Sequence, residues 1–151
     1  MIEVSISIYK PLAKSLGEFR LLTIKPGPRT SLLECSLTVL PLGDISHHKE
    51  GTYDWTSHKS HEDYWELEHA SKPISLVPEF ESLSYTWGDP KITEPILVNG
   101  HVLNITTNLN AALLALRKTN EERVLWVDAI CINQADVQER SEQVLRMRDI
   151  Y

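Results

Sequence analysis

The chain has 151 residues, 42% of them hydrophobic and 24% charged, with a formal net charge of −6. That length supports one domain with a buried core. The acidic balance argues against nucleic acid as the partner, because phosphate binding needs a basic face, and no apolar run nears the roughly 20 residues that span a bilayer.

The opening MIEVSISIYK lacks the basic-then-apolar order of a signal peptide. Two cysteines, Cys35 and Cys131, stand far apart and make no disulfide framework. Reduced thiols in an intracellular compartment are the expectation. EFRLLTIKPGPRTSLLECSLTVLPL reads as two strands around a turn at Pro26-Gly27-Pro28. Leu33, Cys35, Leu37 and Val39 alternate with polar residues, which places Cys35 on an apolar face as a small packing residue.

Gly43 to Pro73 shows no usable periodicity. It holds His47, His48, His58, His61 and His69, and SHEDYWELEHA within it reads as a short helix. The histidine spacings fit no standard zinc pattern and no cysteine stands nearby, so the expectation is a polar insertion loop and no metal site. A connection of this length is uncommon in a compact domain.

Order returns at FESLSYTWGDP, where Leu83, Tyr85 and Trp87 alternate with Ser82, Ser84 and Thr86, predicting a strand over 82–87 that ends at Gly88-Asp89-Pro90. Asn99-Gly100 between two apolar runs predicts a tight hairpin, because that dipeptide accepts positive φ at both turn positions. TNLNAALLALRK predicts a helix over 108–118, capped by Thr107 or Asn108. Leu109, Ala112, Leu113 and Leu116 form its inward stripe, and Arg117 and Lys118 stand at the negative end of its dipole. VLWV is apolar without alternation, as in a strand central to a parallel sheet. The last helix, 136–150, carries Asp136 and Glu139 at the spacing of a cap and its reciprocal partner. Val137, Val144, Met147 and Tyr151 mark its expected inward stripe, and Glu142 and Arg146 an outward i, i+4 pair.

A strand, a crossover helix and a parallel strand bring two loops to one sheet edge. The first carries Trp87, Gly88 and Asp89; the second carries Asp128, Cys131, Asn133 and Gln134. Ligands of open α/β sheets bind outside the carboxyl ends of the strands. Trp87, Gly88, Asp89, Asp128, Asn133 and Gln134 are therefore the candidate functional edge, against the plainer expectation that each polar side chain satisfies its own loop. Cys131, between Ile130 and Ile132 and with only His101 near this half of the chain, is expected to pack and not to act as a nucleophile. The glycines are too scattered for a phosphate-cradling loop.

LSYTWGD, ILVNGHVLNITTNLNAALLALR and LWVDAICINQADVQERSEQVLRMRDIY, in that order, resemble the fungal heterokaryon incompatibility (HET) domain, and FRLLTIKPG with LECSL resembles its lead-in. The resemblance divides the chain into an N-terminal extension, 1–17, and a HET domain, 18–151, with 43–73 as an insertion. It implies an intracellular, cytoplasmic module that triggers cell death on non-self recognition, acting through protein partners and self-association. It also implies a TIR-like (flavodoxin-like) α/β fold: a partial parallel sheet with flanking helices plus the N-terminal hairpin. The alternative it raises is a TIR-like NAD-cleaving enzyme. No residue of this chain matches the catalytic glutamate of such enzymes, so no cofactor is assigned and NAD stays an option. Glu139 fits the capping role better. The family continues past the last helix into a further apolar strand, so a C-terminally truncated, marginally stable chain is expected.

Overall fold

The computed structural model describes residues 8–41 and 77–151. The expected insertion at 43–73, with its helix and its five histidines, lies outside them. Among the described residues, a 3-10 turn at Lys14–Leu16 leads into six strands and three helices. The strands are β1 (Glu18–Ile24), β2 (Glu34–Pro41), β3 (Glu81–Ser82), β4 (Thr93–Val98), β5 (His101–Thr106) and β6 (Arg123–Trp126). The helices are α1 (Thr107–Leu116), the single turn α2 (Asp128–Cys131) and α3 (Val137–Ile150).

The strands form one sheet in the order β3-β6-β1-β2-β4-β5. Two neighbours are parallel, β3 with β6 and β2 with β4, and the other three pairings are antiparallel. The α/β class expected from the sequence is observed, but the sheet is mixed where a parallel one was expected. The reason is the N-terminal hairpin. It is no appendage: β1 pairs with β6 and β2 pairs with β4, so the hairpin is inserted between the β3–β6 pair and the β4–β5 hairpin. The VLWV segment accordingly runs parallel to one neighbour and antiparallel to the other.

β1 explains this placement. Its residues Phe19, Arg20, Leu21 and Leu22 are consecutive and all buried, so both faces of the strand are covered. In β2 the expected alternation holds at Leu33 and Cys35, which are buried, and fades by Leu37 and Val39. The β4–β5 turn has Asn99 at φ 52° and Gly100 at φ 80°, two left-handed positions in succession. Asn and Gly are the residues that accept them at least cost, and the Asn99 side chain also accepts the Leu37 N–H at 3.0 Å.

α1 starts one residue before the predicted position, because Thr106 and not Thr107 supplies the cap, its hydroxyl accepting from the Leu109 N–H. Leu109 and Leu113 are buried along the predicted stripe. Arg117 departs from its expected place at the helix dipole. It leaves the helix in extended conformation, and its buried guanidinium donates to the carbonyls of Lys25, Pro26, Pro28, Ser31 and Leu32. One side chain thereby serves five carbonyls of the loop between β1 and β2.

α3 also corrects the sequence reading. Val137 and Val144 are 64% and 52% exposed, whereas Gln143 and Ile150 are buried. The buried face is set by polar anchors. Glu139 pairs with the buried Arg20, and Gln143 donates to the Glu18 carbonyl at 3.0 Å. Glu142 is held by Lys14 at 2.5 Å, and Arg146 lies against Gly17, so the expected Glu142–Arg146 pair does not form.

Candidate functional site

Leu83 ends the β3–β6 pairing by donating its N–H to the Trp126 carbonyl at 2.9 Å. Beyond it β6 has turned into α2, and no strand remains for residues 84–87 to pair with. The predicted strand over 82–87 is therefore laddered only at Glu81–Ser82. The chain that continues places Tyr85 and Trp87 on one side, two residues apart. Their rings are parallel within 3°, with centroids 6.4 Å apart. Trp87 is 48% exposed.

Asp128 opens α2 at the carboxyl end of β6. Its Oδ1 accepts the Ala129 N–H at 2.7 Å, and its backbone carbonyl accepts from Gln134 Nε2 at 3.0 Å. Burial pushes its carboxyl above the usual carboxylate range, while the Ala129 N–H and the neighbouring Trp87 indole N–H pull it back. Its charge is felt by two phenols. Burial and Asp128 together raise Tyr85 to about 12, and they raise Tyr151 as well. The Tyr151 hydroxyl donates to the Leu83 carbonyl at 3.2 Å, and its ring meets the buried Trp126 edge-on, with centroids 5.6 Å apart and planes at 82°. A carboxylate thus stands among three accessible or half-buried aromatic rings.

Of the six predicted edge residues, the structure brings Trp87 and Asp128 together and braces Asp128 with Gln134. The other three shape their own turns. Gly88 sits at φ 76°, and a Cβ there would come within 2.8 Å of the Asn108 side chain, which itself donates to the Thr86 carbonyl. Asp89 accepts the Lys91 N–H, and Asn133 accepts the Ala135 N–H through its side chain. Tyr151 was read as part of the inward stripe of the last helix and stands instead at this edge; Tyr85 was not singled out and lies here too, partly packed against the core. The i, i+2 relation of Tyr85 to Trp87 was the available signal.

The loop after α2 is fixed from below. Asp136 caps α3, accepting from the Gln138 and Glu139 N–H groups at 3.0 Å. Glu139 does not return the bond as a reciprocal cap. Its carboxylate accepts the Asn133 N–H at 2.7 Å and both Arg20 terminal nitrogens, at 2.5 and 3.0 Å. Arg20 also donates to the Cys131 and Lys10 carbonyls and lies 5.1 Å from the Tyr9 ring centroid. The demand of a buried guanidinium outweighs the local capping geometry. Sequence reasoning missed Arg20, although an arginine inside FRLLTI has to be paired wherever the strand is covered on both faces.

Cys131 is 1% exposed, and burial raises its thiol to about 12, so it packs as expected. Among the described residues no three His, Cys, Asp or Glu gather as metal ligands, and no helix is long and apolar enough to cross a membrane. A cleft of about 450 Å³ lies between the N-terminal segment and α3, with Lys14, Glu18, Glu142 and Arg146 in its walls. None of the six edge residues lines it.

Residues 80–151 match the family model described as heterokaryon incompatibility protein (HET). Heterokaryon incompatibility protein 6, OR allele, of Neurospora crassa is 42% identical over 92 residues. The match covers 52% of this chain and 14% of that relative's length. No solved structure matches the chain.

Proposed function

Because residues 80–151 match the heterokaryon incompatibility family model, we propose that the chain belongs to that family and serves fungal non-self recognition as a cytoplasmic signalling module that triggers cell death. It works through protein partners, copies of itself included. The single observation that carries the working surface is the meeting of Trp87 with Asp128 at the carboxyl end of the parallel β3–β6 pair. There an exposed aromatic side chain meets a half-buried carboxylate held by neighbouring backbone and side chains. The same parallel pair, with α1 between its strands in sequence, supports a TIR-like kinship of the fold.

The test is expression of the chain in a fungal host with growth arrest as the readout. Asp128→Asn and Trp87→Leu are expected to abolish arrest at unchanged protein level. Val102→Thr, on the exposed outer strand, is expected to leave it intact. Full arrest in both edge variants, or none from the parent chain, overturns the reading.

A further inference from the structure

The edge has the chemistry of a cation receptor with no cation of its own. Among the described residues no lysine, arginine or histidine forms an ion pair with Asp128. The carboxylate is half-buried; the Ala129 N–H bonds its Oδ1 and the Trp87 indole N–H lies beside it. Around it stand Trp87, Tyr85 and Tyr151. Trp87 is 48% exposed, so the edge is open to a ligand on that side. Tyr151 is tied by its hydroxyl to Leu83, and Tyr85 and Trp87 lie parallel on one extended segment.

Aromatic faces beside a carboxylate attract a positive group, since the ring quadrupole and the anion act in the same direction. Of the two common side-chain cations, guanidinium suits this site better. It is planar, it sheds water more readily than ammonium, and it stacks on aromatic rings while its N–H groups reach a carboxylate. We propose that Asp128, Trp87, Tyr85 and Tyr151 form a receptor for an arginine side chain presented by a protein partner. The proposal rests on the reading of this edge as the working surface, and it supplies the chemistry of the partner.

The probes are the tripeptide acetyl-Gly-Arg-Gly-amide and its lysine and citrulline counterparts. They are titrated into the whole chain while the Trp87 indole N–H resonance is followed by NMR. Trp87→Phe identifies that resonance. The arginine peptide is expected to shift it saturably, the lysine peptide to bind at least about tenfold more weakly and the uncharged citrulline peptide not to bind. Asp128→Asn, which keeps size and shape, is expected to weaken arginine binding by at least about tenfold. Tyr151→Leu provides a second variant and is expected to weaken it as well.

Absence of a saturable shift with the arginine peptide overturns the receptor. So does equal binding of lysine or citrulline, or unchanged affinity in Asp128→Asn. This readout is independent of growth arrest. Arginine binding with growth arrest preserved in Asp128→Asn refutes the functional reading and leaves the receptor standing. Lost arrest without arginine binding does the reverse.

Discussion

At the residue scale, Asp128 is held against its own charge. Its folded-state carboxyl titrates above the unfolded one, chiefly through burial. A raised carboxyl binds its proton more tightly in the folded chain. The stability this lends is complete below the unfolded value, about pH 4, and is lost as pH rises through the folded value. At neutral pH the ionised side chain is therefore a stability cost that asparagine removes. Asp128→Asn is expected to match or exceed the parent's urea midpoint at pH 7, with the difference vanishing near pH 4. A lower midpoint at pH 7 would show that the carboxylate's bond to Ala129 outweighs its burial. The two cysteines behave in the opposite sense to reactive ones. Burial raises both thiols to about 12, which leaves almost no thiolate at pH 7. Alkylation of Cys35 and Cys131 is expected to be at least about 100-fold slower in the native chain than in urea. Mass spectrometry of timed reactions reads the difference, and comparable rates would place a thiol at the surface.

At the element scale, α3 is docked by charge before it is docked by apolar surface. Arg20 is 1% exposed and Glu139 lies beside it, so removal of either partner strands the other in a dry place. Arg20→Met and Glu139→Gln are each expected to destabilise the fold by about 3–5 kcal/mol. The double variant should lose clearly less than the sum, because no unpaired charge then remains. Additive losses in urea melts would mean that the two side chains act separately. This pair also marks what could and could not be read in the sequence. The Asn99-Gly100 turn, the α1 stripe and the packing of Cys35 follow from local rules on dihedral angles and periodicity, and they were legible. The buried face of α3 was not. Its apolar residues Val137 and Val144 suggested one stripe, while a partner 119 residues away in the chain imposed another. Arg117 is the same lesson in the β1–β2 loop: its position beside a helix end suggested a dipole partner, and the loop carbonyls claimed it. At the candidate site, Trp87 and Asp128 could be named from two polar loops that the topology brings to one edge. Tyr151 could not, because whether an aromatic ring at a helix end faces the core or the edge depends on how that helix docks.

At the scale of the whole molecule, stability and the candidate edge lie at different places in one sheet. β1 is third in strand order, bonded on one side to β2 from Glu18 to Ile24 and on the other to β6. One partner, β2, is its hairpin neighbour and the other, β6, comes from a distant part of the sequence, so its central place ties its bonds to the sheet as a whole. β3 is an edge strand of two residues, and the chain after Leu83 has left the ladder. Amide exchange depends on the smallest opening that frees a given N–H. Leu21 and Leu22 in β1 are therefore expected to exchange only through global unfolding, with protection that falls in step with added urea. Ser84, Tyr85 and Trp87 are expected to exchange through local opening, at rates nearly independent of low urea. If the edge amides share the urea dependence of β1, the edge is part of the global unit and has no freedom to adjust to a partner. If they do not, the sheet provides a stable frame while Tyr85 and Trp87 remain free to close on an incoming side chain. Saturating arginine peptide should then slow exchange at Tyr85 and Trp87 without altering Leu21 or Leu22.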